Sequence, residues 1–173
     1  MNALADDKVA DYINENFVAT FLKVGTFQII NGQKVGGNVA SYFCQSDGTV
    51  LHAVPGKVDG RTLLDEARWA VESRKLALTH STNLATGAVD KAMLKQSIRR
   101  SHQERFAQTN DRPKFPGVVA SLPPALPMHV SQQAQAHWLL AMTPLASVTS
   151  VYPFVWERIL REKLSGLPVA QSQ

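Results

Sequence analysis

The sequence is poor in residues and motifs that carry covalent or cofactor chemistry. Its 173 residues contain one cysteine, Cys44, which excludes an internal disulfide and any CxxC pair within the chain. The phosphate-loop, dinucleotide, nucleophile-elbow and zinc-protease signatures GxxxxGK[ST], GxGxxG, GxSxG and HExxH are absent. No apolar run approaches the roughly 20 residues that a membrane-spanning helix needs, so we expect no membrane span.

The N-terminal segment gives no sign of export. Residues 1–16 are acidic and amphipathic and hold no apolar core of the kind found in signal peptides. The sequence as given therefore predicts a cytoplasmic protein, or an exported one if the true start lies upstream.

The net charge of +4 is concentrated in one region. Residues 88–115 carry seven Lys or Arg against three Asp or Glu, whereas residues 1–77 carry eight against nine. Lys91, Lys95 and Arg99 lie at i, i+4 spacing and are candidates for binding an anionic surface. Because no aromatic residues alternate with these charges, we favour a solvated basic face and do not expect nucleic-acid binding.

The first half of the chain alternates β-forming runs with two helical patterns. Asn31-Gly32 and Asp47-Gly48 are tight-turn signals, and the second turn sets Cys44 opposite Val50 in an antiparallel pair. The predicted elements are helix 5–15, strand 17–24, a β-like run 26–30, strands 39–44 and 49–54, and helix 61–77.

The second half is mostly helical, with a proline-rich interruption. We predict a loop at 78–87, a basic helix at 88–106, an irregular segment at 107–128 and helix 131–142. Ser150 is the predicted N-cap of a last helix, whose spacing buries Phe154 and Ile159 and leaves Trp156 at the rim. The predicted units are 5–77, 78–130 and 131–167.

The segments DDKVADYINENFVATFLKV and NVASYFCQSDGTVLHAVPGKVDGRTLLDEARWAVE resemble the C-terminal half of the thioredoxin fold. The likeness covers about residues 6–77 and extends to bacterial thioredoxin-like proteins with a helical tail. It implies an α/β fold: a partial thioredoxin-like sheet with flanking helices, followed by a mostly helical C-terminal tail. By this resemblance Gly37, Asn38 and Val39 form the loop beside the substrate groove.

The chain departs from redox-active members of that family. It has no CxxC motif, and Val39 stands where those members have a cis-proline, so we expect a trans bond before it. Cys44 ends a strand, whereas a reactive family cysteine lies at a helix N-terminus. We therefore favour Cys44 as a small buried hydrophobe over Cys44 as a redox-active nucleophile.

The five histidines are scattered through the sequence. No two are spaced i, i+4, and no cluster with metal-ligand spacing stands out. We therefore expect no metal site and no cofactor; the positions are His52, His80, His102, His129 and His137.

These patterns together predict a non-catalytic, redox-inactive thioredoxin-like module that binds a protein partner or acts as a scaffold. The alternative is a thiol-disulfide oxidoreductase whose CxxC segment lies upstream of this start. An open strand edge also favours a homo-oligomer that completes the sheet.

Overall fold

A computed structural model describes residues 3–24, 27–109, 122–165 and 170–171. The chain combines helices with short antiparallel strands, which confirms the α/β class at this coarse level. In chain order the elements are a 3₁₀ turn Ala3–Ala5, α1 Asp7–Asn16, β1 Leu22–Lys23, β2 Phe27–Ile30, β3 Gln33–Gly36, β4 Ala40–Cys44, β5 Val50–Pro55, α2 Gly60–Ser81, α3 Lys91–Thr109, α4 Gln132–Met142, α5 Val148–Phe154, a π-helical turn Val155–Ile159, and β6 Ala170–Gln171.

The strands of the described residues pair two by two. β1 pairs with β6, β2 with β3, and β4 with β5, and each pair is antiparallel. The predicted strand 17–24 is therefore wrong in extent, because only Leu22 and Lys23 form a strand. Val18 is 98% exposed and Phe21 62% exposed, so residues 18–21 lack the layer that buries one face of a strand.

The β4–β5 hairpin follows the predicted turn and register. Asp47 Oδ1 accepts hydrogen bonds from Thr49 N and Oγ1, and Gly48 has the positive φ of 79° that its turn position needs. Cys44 lies opposite Val50, as predicted, next to an irregularity in the ladder. All six residues of β5 are buried, because α2 and α4 pack against this strand.

Helix α2 begins where the sequence predicts and ends later. Asp59 caps it through a 2.7 Å hydrogen bond from Thr62 N to Oδ1. The predicted loop at 78–81 is helical, because the buried stripe continues through Ala77 to Ser81, whose Oγ donates to Ala77 O.

Helices α3 and α4 pack against each other, and α4 also packs against β5. Ser131 caps α4 by accepting from Ala134 N at 3.1 Å. Eight consecutive residues, 134–141, are buried, so α4 is enclosed on all sides. No helix in the described part of the chain is long and apolar enough to cross a membrane.

The last helix differs from its prediction. It begins at Val148 with Ser147 as N-cap residue, so Ser150 lies inside it. Trp156 is buried at 4% exposure and Phe154 is half-buried, the reverse of the prediction, whereas Ile159 is buried as expected. Helical spacing accounts for the reversal, because Trp156 lies one turn from the buried Ile159 and Leu160, whereas Phe154 lies one turn from the exposed Glu157 and Arg158.

Candidate functional site: a buried histidine cluster

Three histidines that are far apart in sequence meet in the interior. His52 comes from β5, His102 from α3 and His137 from α4, with exposures of 0%, 1% and 0%. One ring nitrogen of each lies within 4.8 Å of those of the other two. The fold therefore brings three imidazoles together in a single buried place. We call this group the histidine cluster.

Local patterning explains how each helix delivers its histidine to this point. His102 lies one turn from Ile98 and one turn from Phe106 on the buried stripe of α3. His137 lies within the enclosed part of α4. Trp69 of α2 covers the cluster, with its ring edge-on to all three imidazoles at centroid distances of 4.7 to 5.1 Å.

The hydrogen bonds of His102 define its tautomer. Its Nε2 lies 2.9 Å from the backbone carbonyl oxygen of Leu51, which can only accept, so Nε2 carries the hydrogen. Its Nδ1 therefore has a free lone pair, and this nitrogen lies 2.9 Å from His137 Nδ1. The lone pair of His102 thus points into the histidine cluster.

His52 has a comparable outward contact, made to a carboxylate. Its Nε2 lies 2.8 Å from Glu66 Oε2, and the other carboxylate oxygen accepts from Arg105 Nη2 at 3.3 Å. The Arg105 guanidinium also lies 5.7 Å from the centre of the Trp69 ring. Gln133 Nε2 donates to Ala53 O at 3.2 Å and lies 3.4 Å from His52 Nε2.

Burial keeps the three imidazoles neutral. It lowers the pKa of His52 in spite of the hydrogen bond to Glu66, and it lowers the pKa of His102 to about 3. Burial likewise brings the pKa of His137 well below its usual value. For Glu66, burial opposes ionisation, but the hydrogen bond to His52 and the charge of Arg105 bring its pKa below its usual range. Neutral rings have the lone pairs that metal ligation needs.

Two nitrogens of the histidine cluster have no hydrogen-bond partner among the described residues. These buried atoms are His52 Nδ1 and His137 Nε2. A buried polar atom without a partner costs about 1–3 kcal/mol, so each requires an explanation, of which a bound ion is one.

The geometry is close to that of a metal site. Four ligands around a tetrahedral ion at metal–nitrogen distances of about 2.0–2.1 Å would stand roughly 3.3 Å apart. Since the cluster nitrogens lie within 4.8 Å of one another, the widest pair must approach by at most about 1.5 Å to reach that spacing. Ion binding would therefore require a rearrangement of up to this size within the core.

The predicted candidate Cys44 is not part of this group. Its side chain is half-buried, and burial raises the pKa of its thiol. Its position opposite Val50 leaves it without a histidine partner in the strand register, and its predicted role as a small buried hydrophobe stays a prediction.

The groove loop and the basic face also lie away from the histidine cluster. Among the described residues every peptide bond is trans, as predicted before Val39, and Asn38 N donates to Glu162 Oε2 at 3.3 Å. Gly37 is half-buried with a φ of 70°. Lys91, Lys95 and Arg99 are all exposed on α3, while His102 of the same helix is buried.

The histidine cluster could not be identified from spacing, because its members are separated by 50 and 35 residues. One signal was available for each helix. His102 interrupts an i, i+4 apolar stripe between Ile98 and Phe106, and His137 interrupts the apolar run around Leu139. A histidine inside an apolar pattern indicates burial, but only the tertiary structure joins three such positions.

Comparison of the chain with protein-family models, curated proteins and solved structures gives no match. A proposal for function therefore rests on the geometry of the described residues.

Proposed function

We propose that this protein binds a divalent transition-metal ion through His52, His102 and His137, and that the ion has a structural role. The observation that carries the proposal is the convergence of three buried imidazoles, two of which have their outer nitrogens hydrogen-bonded to protein oxygens. Metal-binding histidines almost always have such an outer hydrogen bond, because it fixes the ring and its tautomer.

The alternative is a core in which hydrogen bonds alone hold the three histidines, without a metal ion. The bond between the Nδ1 atoms satisfies His102, but His52 Nδ1 and His137 Nε2 still have no partner. A bound ion would use the lone pairs of His52 Nδ1 and His102 Nδ1 together with one nitrogen of His137. A metal ion therefore gives His52 Nδ1 the partner that hydrogen bonds within the cluster do not supply.

The donor set selects a class of metal. Three neutral nitrogen ligands without sulfur suit Zn²⁺, Ni²⁺, Co²⁺ and Cu²⁺, whereas Mg²⁺ and Ca²⁺ prefer oxygen. We place Zn²⁺ first, because three histidines and a fourth ligand form a common tetrahedral zinc site.

Full burial of the ligands supports a structural role over a catalytic one. The ion would join one strand and two helices, β5, α3 and α4, at the centre of the core. Binding to the folded state alone adds RT ln(1 + [L]/Kd) to the free energy of unfolding, about 2.7 kcal/mol at a hundredfold excess over Kd.

The thioredoxin-like assignment remains a proposal beside the metal site. The hairpin with its Asp47-Gly48 turn, followed by α2, is the part of the fold that supports it. A non-catalytic protein-binding module could be built around a structural metal ion, so the two proposals are compatible. The alternative, an oxidoreductase with an upstream CxxC segment, also stays a prediction.

The test is a titration of the metal-free protein with Zn²⁺ and Co²⁺. We expect one equivalent to bind, with visible Co²⁺ absorption typical of tetrahedral nitrogen coordination and a rise in the thermal unfolding midpoint. His102→Ala and His137→Ala should abolish binding. His80→Ala and His129→Ala are matched controls, because both histidines are exposed, and these variants should bind like the wild type.

Circular dichroism of each variant establishes whether it is folded. The proposal is wrong if the folded wild type binds neither ion, or if the exposed-histidine controls lose binding to the same extent as the cluster variants.

A further inference from the structure

We infer that Glu66, held by Arg105, is the positioning residue of the metal site. It fixes the tautomer of His52, so that the lone pair on Nδ1 is available to the ion. This inference rests on the proposed function and adds two residues that do not themselves bind the metal. Among the described residues, Glu66 is the one carboxylate that the structure places in contact with a cluster histidine.

The carboxylate connects two elements. Glu66 comes from α2, and its two oxygens divide between His52 Nε2 at 2.8 Å and Arg105 Nη2 of α3 at 3.3 Å. The side chain of Glu66 is 11% exposed and that of Arg105 is 32% exposed. Glu66 therefore lies between the dry histidine cluster and a cation that reaches solvent.

The chemistry of this contact determines where the His52 hydrogen resides. An ionised carboxylate can only accept, so an oxygen 2.8 Å away requires the hydrogen on Nε2. The opposite tautomer would set two lone pairs against each other at that distance. With Nε2 protonated, the 3.4 Å approach of Gln133 is not a hydrogen bond to this nitrogen, and the Gln133 amide instead donates to Ala53 O. The lone pair of His52 is then on Nδ1, the nitrogen without a partner.

His52 and His102 each donate a hydrogen bond to a group outside the histidine cluster, and the two acceptors differ in charge. His102 donates to a neutral backbone carbonyl, whereas His52 donates to a full negative charge. A carboxylate partner makes an imidazole a stronger donor to a metal, and it brings negative charge close to a buried dication. Glu66 should therefore matter for affinity more than any other residue that is not itself a ligand.

Arg105 acts on the metal site indirectly, through Glu66. Its guanidinium holds the second oxygen of Glu66 and lies over Trp69, which contacts all three imidazoles. Removing Arg105 would leave the Glu66–His52 contact possible but less well oriented. Its loss should therefore weaken metal binding less than the loss of the Glu66 charge.

The experiment compares Glu66→Gln with the controls Glu72→Gln and Glu104→Gln in Zn²⁺ titrations. The control residues lie on α2 and α3 in exposed ion pairs with Lys75 and Arg100, so they reproduce the charge change without the cluster contact. We expect Glu66→Gln to weaken binding about 10- to 100-fold, and the controls to leave Kd within about twofold. The loss of Zn²⁺ affinity in Arg105→Met should be smaller than in Glu66→Gln and larger than in the two controls.

A second measurement tests the tautomer directly. Nitrogen-15 NMR of the metal-free wild type should show His52 protonated on Nε2, and Glu66→Gln should shift this population toward Nδ1. A residue with only a packing role would leave the tautomer unchanged. If Glu66→Gln is unfolded by circular dichroism, Arg105→Met provides both measurements in its place.

The two proposals fail in distinguishable ways. If the wild type binds metal and Glu66→Gln binds it equally well, Glu66 has no positioning role while the metal site stands. If the wild type binds no metal, both proposals are overturned. A His52 hydrogen found on Nδ1 in the metal-free wild type would also overturn this inference.

Discussion

Within the described ranges, two β-hairpins form from similar sequence patterns and differ in burial. In β2–β3 the turn residues Asn31 and Gly32 have φ values of 51° and 77°, and Ile29 is 70% exposed. In β4–β5 the turn includes Gly48 at a φ of 79°, yet all of β5 is buried. Local turn chemistry is therefore similar in the two hairpins, and burial distinguishes them.

The difference comes from elements outside each hairpin. Helices α2 and α4 both pack on β5, and the π-helical turn also reaches it. A two-stranded hairpin is marginal by itself and gains its stability from such packing. The buried hairpin is also the one that carries His52 and, through Leu51 O, orients His102. Packing by α2 and α4, which follow the hairpin in the sequence, thus decides which hairpin can hold a buried functional site.

The largest expected difference between the hairpins is in side-chain truncation. Leu51 is 5% exposed and packs with Ala77 and Ile98, so Leu51→Ala should lower the free energy of unfolding by about 2–5 kcal/mol. Ile29→Ala removes an exposed side chain and should change it by less than about 0.5 kcal/mol. Urea unfolding curves measure both values, and a comparable loss in Ile29→Ala would show that the β2–β3 hairpin is covered in solution.

A smaller effect is expected from the turns. Gly32 and Gly48 have positive φ values and open space where a Cβ would lie, so alanine at either position adds backbone strain of about 1–2 kcal/mol without a clash. For Gly48→Ala this strain should lower global stability, because β4–β5 belongs to the core. For Gly32→Ala it should loosen only the local hairpin.

Hydrogen exchange separates the two outcomes. Gly32→Ala should speed exchange within β2–β3 and leave the amides of β5 protected. Equal losses of global stability in both glycine variants would contradict the division of the two hairpins into a local and a core unit.

Features specified by neighbouring residues were predicted well from sequence. The Asp47-Gly48 turn gave the register of Cys44 against Val50, and the predicted helix start at residue 61 lies one residue from the observed start of α2 at Gly60. Each depends on side-chain to backbone bonds or on turn geometry within a few residues. Strand 17–24 failed because strand formation depends on a partner, and its composition does not specify one.

The features that sequence could not supply depend on contacts between distant segments. In the last helix Trp156 is buried in a cluster with Phe106 and Trp138, so the face that is covered depends on segments distant in the sequence. The histidine cluster is a stronger case, because His52 and His137 are 85 residues apart and become neighbours only when α4 packs on β5. Sequence could indicate that each histidine was buried, but not that they meet.

The smallest expected difference between the hairpins concerns thiol reactivity. Cys44 is half-buried on β4, and burial together with the nearby negative charge of Asp47 raises the pKa of its thiol. Since the thiolate is the reactive form, the native thiol should react slowly near neutral pH.

A cysteine placed at the exposed position 29, as Ile29→Cys with Cys44→Ser, should react at least about tenfold faster, because an unperturbed thiol has a pKa near 8.5 and free access to reagent. Labelling with an aromatic disulfide reagent, with each rate normalised to that of the same variant in denaturant, measures the ratio. Equal normalised rates would mean that the β4–β5 hairpin opens as readily as β2–β3, and the contrast between a buried and an exposed hairpin would then not hold in solution.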